Sequence, residues 1–122
     1  MKKVLIIEDE LSLSNALSLK LKQEGLEVLV AENGARGLGV ALKNHPDLIL
    51  LDILMPIMDG ITMLSKLRAD EWGKSVPVII LTNLSDKEKI AESIELGAND
   101  YFIKADSTVG SIIDKVKEKL KI

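Results

Sequence analysis

The sequence has no cysteine, one histidine and three aromatic residues, Trp72, Tyr101 and Phe102, among 122. A disulfide framework, a thiolate metal site and a cysteine nucleophile are therefore excluded. With so few rings the core must be aliphatic, and stacking on bases as a route to nucleic-acid binding has almost nothing to work with. Excess of positive charge is missing too. Sixteen Lys and Arg against 19 Asp and Glu give a net charge of −3, spread along the chain, so charge gives no pointer to nucleic acid. No apolar run approaches membrane-spanning length. The start, Met1-Lys2-Lys3-Val4-Leu5-Ile6-Ile7-Glu8, is too short in apolar residues for a secretory leader. The expectation from these absences is a soluble cytoplasmic protein that neither enters a membrane nor binds nucleic acid by itself. The length suits one domain, residues 1–122.

What is present is alternation. Short apolar runs at Lys3–Ile7, Glu27–Val30, Asp47–Leu51, Val76–Leu81 and Asp100–Ile103 alternate with five helical patterns. Leu13, Leu17 and Leu21 recur every four residues, one face of a helix that Gly25 caps. A second helix is expected over Gly34–Asn44, stopping before Pro46. A third covers Gly60–Ala69, and a fourth runs from Asp86 to Leu96 and ends at Gly97. A fifth bears Val109, Ile112, Ile113, Val116 and Leu120 on one face and lysines opposite, with Asp106 or Ser107 as its N-cap. Pro77 falls at the start of its strand, where a missing N–H is tolerated. Repeated βα units predict an α/β fold, a doubly wound parallel sheet of five strands with helices on both faces.

The chemistry gathers at the strand ends. Leu48-Ile49-Leu50-Leu51 is a continuous apolar run of the kind buried parallel strands show, and it closes on Asp52. A carboxylate there is costly unless solvated, paired or metal-bound. Ligands of open α/β sheets sit at the carboxyl ends of the strands. Val4-Leu5-Ile6-Ile7 also closes on acid, Glu8-Asp9. On its own that turn reads as solvated acid; together with Asp52 it makes a candidate site for a hard cation, with Asp9 and Asp52 as direct ligands. Thr82 follows the fourth run and Lys104 the fifth. Separately these are a strand-end hydroxyl and a surface lysine. As a set they supply a phosphoryl oxygen with a donor and a point charge, and the set predicts a nucleophilic carboxylate in metal-assisted phosphoryl transfer.

At these residues the chain resembles the receiver domain of two-component response regulators, of the stand-alone, chemotaxis-regulator-like kind. The resemblance rests on Glu8-Asp9, Asp52, Met55-Pro56-x-x-Asp59-Gly60, Thr82, Gly97-Ala98-x-Asp100-Tyr101 and Lys104, and it covers essentially the whole chain. It implies a flavodoxin-like (βα)5 fold with strand order 2-1-3-4-5, an order the family shares with its best-known member. It implies that Asp52 accepts a phosphoryl group from a histidine kinase or histidine phosphotransfer protein. Magnesium, with manganese able to substitute, would be held by Asp9, Asp52 and the backbone carbonyl of Leu54, with Glu8 acting through metal-bound water. Lys104 would pair with the phosphoryl group, Thr82 would move toward it, and Tyr101 would turn inward. The surface of the fourth helix, fifth strand and fifth helix would change in consequence and control a downstream protein target, the chain being a monomer or a phosphorylation-linked dimer. Such a protein catalyses only its own phosphorylation and dephosphorylation.

The sequence departs from the family pattern at three places. Ala105 stands where receivers usually carry a proline on a cis bond. A cis bond to a non-proline residue costs about 2.5–4 kcal/mol, so Lys104–Ala105 is expected to be trans and the loop Ala105–Thr108 rearranged. Leu54 and Leu84, two residues past Asp52 and Thr82, are apolar where such positions tune phosphate lifetime, which predicts slow dephosphorylation. Leu54 also weighs against a haloacid-dehalogenase-like phosphatase, which wants a second Asp there. Glu8-Asp9-Glu10 weighs against a phosphate-cradling flavin site. His45 and Trp72 read as a surface residue and a half-buried loop anchor.

Overall fold

A computed structural model describes residues 1–83 and 87–122. The strands are β1 (Lys3–Ile7), β2 (Glu27–Ala31), β3 (Leu48–Asp52), β4 (Val78–Thr82) and β5 (Asp100–Ile103). The helices are α1 (Leu11–Gln23), α2 (Gly34–Asn44), α3 (Gly60–Ala69), α4 (Lys87–Glu95) and α5 (Val109–Leu120), with a 3-10 turn at Lys104–Asp106. All four strand pairings are parallel, in the order β2-β1-β3-β4-β5. The expected flavodoxin-like sheet is therefore observed. Among the described residues no helix is long and apolar enough to cross a membrane.

Period-two alternation divides the strands between two cores. Leu5, Ile7, Ile49, Leu51, Val78 and Ile80 pack on one face with Ala41 of α2 and Met63, Leu64 and Leu67 of α3. Val4, Ile6, Leu48, Leu50, Ile79 and Leu81 pack on the other with Leu17 and Leu21 of α1 and Ile112, Ile113, Val116 and Leu120 of α5. Burial on both faces explains why β1, β3 and β4 read as unbroken apolar runs. Each fully buried side chain contributes about 1.5–3 kcal/mol, which holds the strand ends, and hence the residues just beyond them, in place.

Several boundaries shift from those expected. β3 starts at Leu48; just before it, Asp47 meets Lys3 of β1 twice, its N–H donating to the carbonyl at 2.8 Å and its Oδ2 accepting from the N–H at 2.7 Å. At its other end Asp52 lies in the ladder, in register with Leu81. β4 starts at Val78, one residue past Pro77, and its first N–H donates to Oδ1 of Asn99 at 2.9 Å. The N-cap of α5 is Thr108, not Asp106 or Ser107: the 3-10 turn takes up Asp106, and Ser107 closes that turn by donating its N–H to the carbonyl of Lys104. Thr108 and Ser111 form a reciprocal capping box. Gly25 (φ 82°) ends α1 and Gly97 (φ 92°) follows α4, as their glycines predict. The expected start of α4, Asp86, lies outside the described residues.

Candidate functional site

The site forms where β1, β3, β4 and β5 end side by side. Asp52 closes β3 and is 4 % exposed; Thr82 closes β4 and is fully buried; Glu8 follows β1 and is 1 % exposed. Lys104 follows β5 and reaches across the sheet. Its Nζ lies 2.6 Å from Oε1 of Glu8, 3.3 Å from Oδ2 of Asp52 and 3.9 Å from Oε2 of Glu10. The second Glu8 oxygen accepts from the N–H of Glu10 at 3.0 Å, which shapes the acidic turn. Asp9 stands exposed beside this cluster. One carboxylate oxygen from each of Glu8, Asp9 and Asp52 falls within 4.8 Å of the others.

Electrostatics make Asp52 unlike an ordinary carboxylate. Burial first, then the negative charge of Glu8, push its pKa from 3.8 up to about 7, with Lys104 offsetting part of the rise. Burial alone would lower the pKa of Lys104, but pairing with Glu8 and Asp52 more than reverses this and leaves it above the ordinary value. A pocket with four acids around one ammonium has room in its charge balance for a further cation. Its donors are all oxygens, the set a hard divalent ion prefers.

The loop after β3 is built tightly around this edge. The N–H of Gly60 donates to the carbonyl of Ile53 at 2.8 Å, and a Cβ on Gly60 would overlap the carbonyl of Asp52. Asp59 caps α3 by accepting from the N–H of Thr62 at 2.8 Å. Between them Ile57 has φ 70°, a left-handed conformation rare for a β-branched residue, and its side chain is 84 % exposed. The N–H of Met58 closes a tight turn onto the carbonyl of Pro56, while its own carbonyl accepts from Gly34 at the start of α2. Leu54 projects outward beside Asp52, 55 % exposed. Tyr101 on β5 is 44 % exposed, so its ring faces outward in this structure.

Of the residues singled out from sequence, Glu8, Asp9, Asp52 and Lys104 converge within ion-pair or ligand distance, and Thr82 stands on the neighbouring strand end. Leu84 lies outside the described residues. The Lys104–Ala105 bond is trans, as expected for a non-proline residue. Three features went unseen in the sequence. One is the Glu8–Lys104 pair, which spans non-adjacent strands. The second is the stack of His45 on Trp72, centroids 4.3 Å apart and 7° from parallel. The third is the set of backbone carbonyls gathered by Arg68.

Residues 4–117 match the family described as the response regulator receiver domain. The chain is similar to the transcriptional regulatory protein PcoR of Escherichia coli, 43% identical over 107 residues, covering 85% of this chain and 45% of that protein. It is also similar to the DNA-binding dual master transcriptional regulator RpaA of Synechocystis, 36% identical over 104 residues, covering 85% of this chain and 43% of that one. The chain thus spans less than half the length of these two relatives. Among solved structures, the receiver domain of the Francisella response regulator 1452 superposes with a TM-score of 0.89 at 30% identity, covering 99% of this chain and 98% of that one. The strand order, the acidic cluster beside Lys104 and these matches agree: the chain belongs to the receiver domain family of two-component response regulators, and so to phosphorylation-dependent signalling.

Proposed function

We propose that Asp52 is the phosphoacceptor of a signalling switch driven by a histidine kinase or histidine phosphotransfer protein. The observation that supports this most is the placement of a buried carboxylate at the end of β3, 3.3 Å from the ammonium of Lys104 and inside a three-carboxylate cluster. An Asp52 oxygen attacks phosphorus, the bond from phosphorus to the imidazole nitrogen of the donor breaks with its electron pair leaving on the ring, and an acyl phosphate remains on Asp52. Asp9, Asp52 and the carbonyl of Leu54 would hold magnesium (or manganese), with Glu8 supporting through water; the all-oxygen donor set fits such an ion. Bound there, it supplies charge neutralisation for the phosphoryl oxygens. Lys104, already committed to Glu8 and Asp52, stabilises the added charge, and Thr82 donates to a phosphoryl oxygen.

The output is a population shift. Thr82 and Lys104 gain contacts only in the phosphorylated state, and those differential contacts drive it. Thr82 moves toward the phosphoryl group, the outward Tyr101 turns inward, and the surface made by α4, β5 and α5 changes for a downstream protein. A cytoplasmic location, a monomer or phosphorylation-linked dimer, and no nucleic-acid contact by residues 1–122 belong to the same reading. Tyr101 is the single tyrosine, so tyrosine carbon-labelled at Cζ alone gives one NMR signal. Acetyl phosphate with magnesium should shift that signal in the wild type and leave it unmoved in Thr82→Ala, which still takes up the phosphoryl group. An unmoved wild-type signal in phosphorylated protein refutes the Tyr101 switch.

A further inference from the structure

α4 is held unlike the other helices. Only Ser93 of its nine residues is buried, whereas α5 buries four apolar side chains. An open groove of about 640 Å³ runs between it and α3, with Ile61, Ser65 and Lys66 on one wall and Glu92 and Glu95 on the other. With so little apolar area covered, packing alone fastens this helix weakly.

Its C-terminal end is fastened from outside. Arg68, in the last turn of α3, donates from Nε to the carbonyl of Leu96 at 3.3 Å and from Nη2 to that of Gly97 at 2.7 Å. Nη1 donates to the carbonyls of Gly73 and Val76 at 2.7 and 2.8 Å. These acceptors are all backbone carbonyls. Two belong to Leu96 and Gly97, the residues directly after α4, where the helix dipole favours a cation. Gly97 makes the approach possible: φ is 92°, and a Cβ there would meet Nε of Arg68 at 3.0 Å. The same stretch is tied further by the N–H of Ala98 to the carbonyl of Ser93 and of Asn99 to that of Val78, at 3.0 and 2.8 Å. The other end of α4, Lys87, follows Thr82 by five positions in the sequence, so it stands at the edge of the sheet where the strands end.

We propose that Arg68 is the pivot of α4: it fixes the C-terminal end of the helix to α3 and to the loop before β4, so that a displacement begun at Thr82 swings the N-terminal end alone. Arg68 is a positioning residue, remote from the reacting atoms. The pivot rests on the reading of Asp52 as phosphoacceptor.

Amide hydrogen exchange on the full chain tests it, in wild type, Arg68→Ala and Arg68→Lys, before and after acetyl phosphate with magnesium, with uptake followed by intact mass. Before phosphorylation, Arg68→Ala should exchange roughly tenfold faster at Leu96–Asn99, the loss of about one net charge-assisted hydrogen bond, while β1 and β3 keep their protection. Arg68→Lys retains the charge but lacks the planar fork and should fall between. After phosphorylation, wild-type exchange should change at Lys87–Ala91 and stay unchanged at Leu96–Asn99; in Arg68→Ala the change should extend through Gly97. Equal change at both ends of α4 in the wild type overturns the pivot, as does wild-type exchange at Leu96–Asn99 in Arg68→Ala. If Arg68→Ala unfolds, Arg68→Lys decides: faster exchange confined to Leu96–Asn99 supports the pivot, and unchanged exchange there overturns it. If the wild type takes up no phosphoryl group, the phosphoacceptor reading falls by itself; the phosphate-free comparison then supports or overturns the fastening of α4 by Arg68.

Discussion

Asp52→Asn should stabilise the folded protein at neutral pH in the absence of divalent metal. The buried carboxyl titrates near 7, against 3.8 for an ordinary aspartate, because burial and Glu8 outweigh Lys104. A folded-state pKa above the unfolded value means that the native protein binds the extra proton between these two pH values. The sign follows: stability is fully present below about pH 4 and is lost progressively as pH rises through about 7. At about 1.4 kcal/mol per pH unit the full span sets a ceiling on the order of 4 kcal/mol. Solvent at the mouth of the site and the shared charge of Glu8 and Lys104 screen this to about 2 kcal/mol, which corresponds to roughly 8 °C in Tm for a chain of this size. Asparagine fills the same volume without the charge. Urea denaturation in chelator, from pH 4 to 8.5, should therefore show Asp52→Asn and wild type nearly equal at the acid end. The mutant should gain steadily to pH 7 and hold its advantage above. Millimolar magnesium should narrow the gap by stabilising the wild type alone. A gap that is absent at pH 8, or that widens toward acid, refutes the electrostatic description of the site.

Leu54→Asn should shorten the lifetime of the phosphorylated form on the order of tenfold, less than the usual effect of a fully positioned acid or base. Adding Leu84→Glu should shorten it further. Timed loss of the phosphoryl mass decides, and unchanged decay means that the leucines do not set the lifetime. Gly60→Ala forces a methyl group against the carbonyl of Asp52; thermal melts should show a loss of at least about 2 kcal/mol, and a loss under about 0.5 kcal/mol contradicts the close packing of that loop. His45→Ala removes the ring stacked on Trp72; it should cost about 0.5–1.5 kcal/mol and shift the emission of the single tryptophan, whereas an unchanged spectrum contradicts the stack.

The fold was legible because its central strands are buried on both faces. Val4–Ile7, Leu48–Leu51 and Val78–Leu81 had to be continuous apolar runs, and the helices between them left little choice of topology. Strand ends were less legible, since hydrogen bonding decides them. Asp47 reads like the start of β3, but the strand begins at Leu48; the run read from sequence stops at Leu51, but the backbone of Asp52, which closes it, remains in the ladder. The site residues could be found because each directly follows an apolar run. Their pairing could not: Glu8 and Lys104 meet across β3 and β4 only through the reach of a lysine side chain. Arg68 left no trace because its partners are carbonyls, which every residue possesses. His45 and Trp72 are the only residues of their kinds, and nothing in their spacing announces a stack. Ala105 was informative in the other direction: lacking proline, the bond after Lys104 is trans, and the chain turns through a 3-10 segment into the capping box of α5.

The most direct test of Asp52 as acceptor is intact mass after incubation with acetyl phosphate and magnesium. The wild type should gain the mass of one phosphoryl group, lose it on standing, and gain none in chelator, and Asp52→Ala should gain none under any condition. No gain in the wild type, or an equal gain in Asp52→Ala, contradicts it.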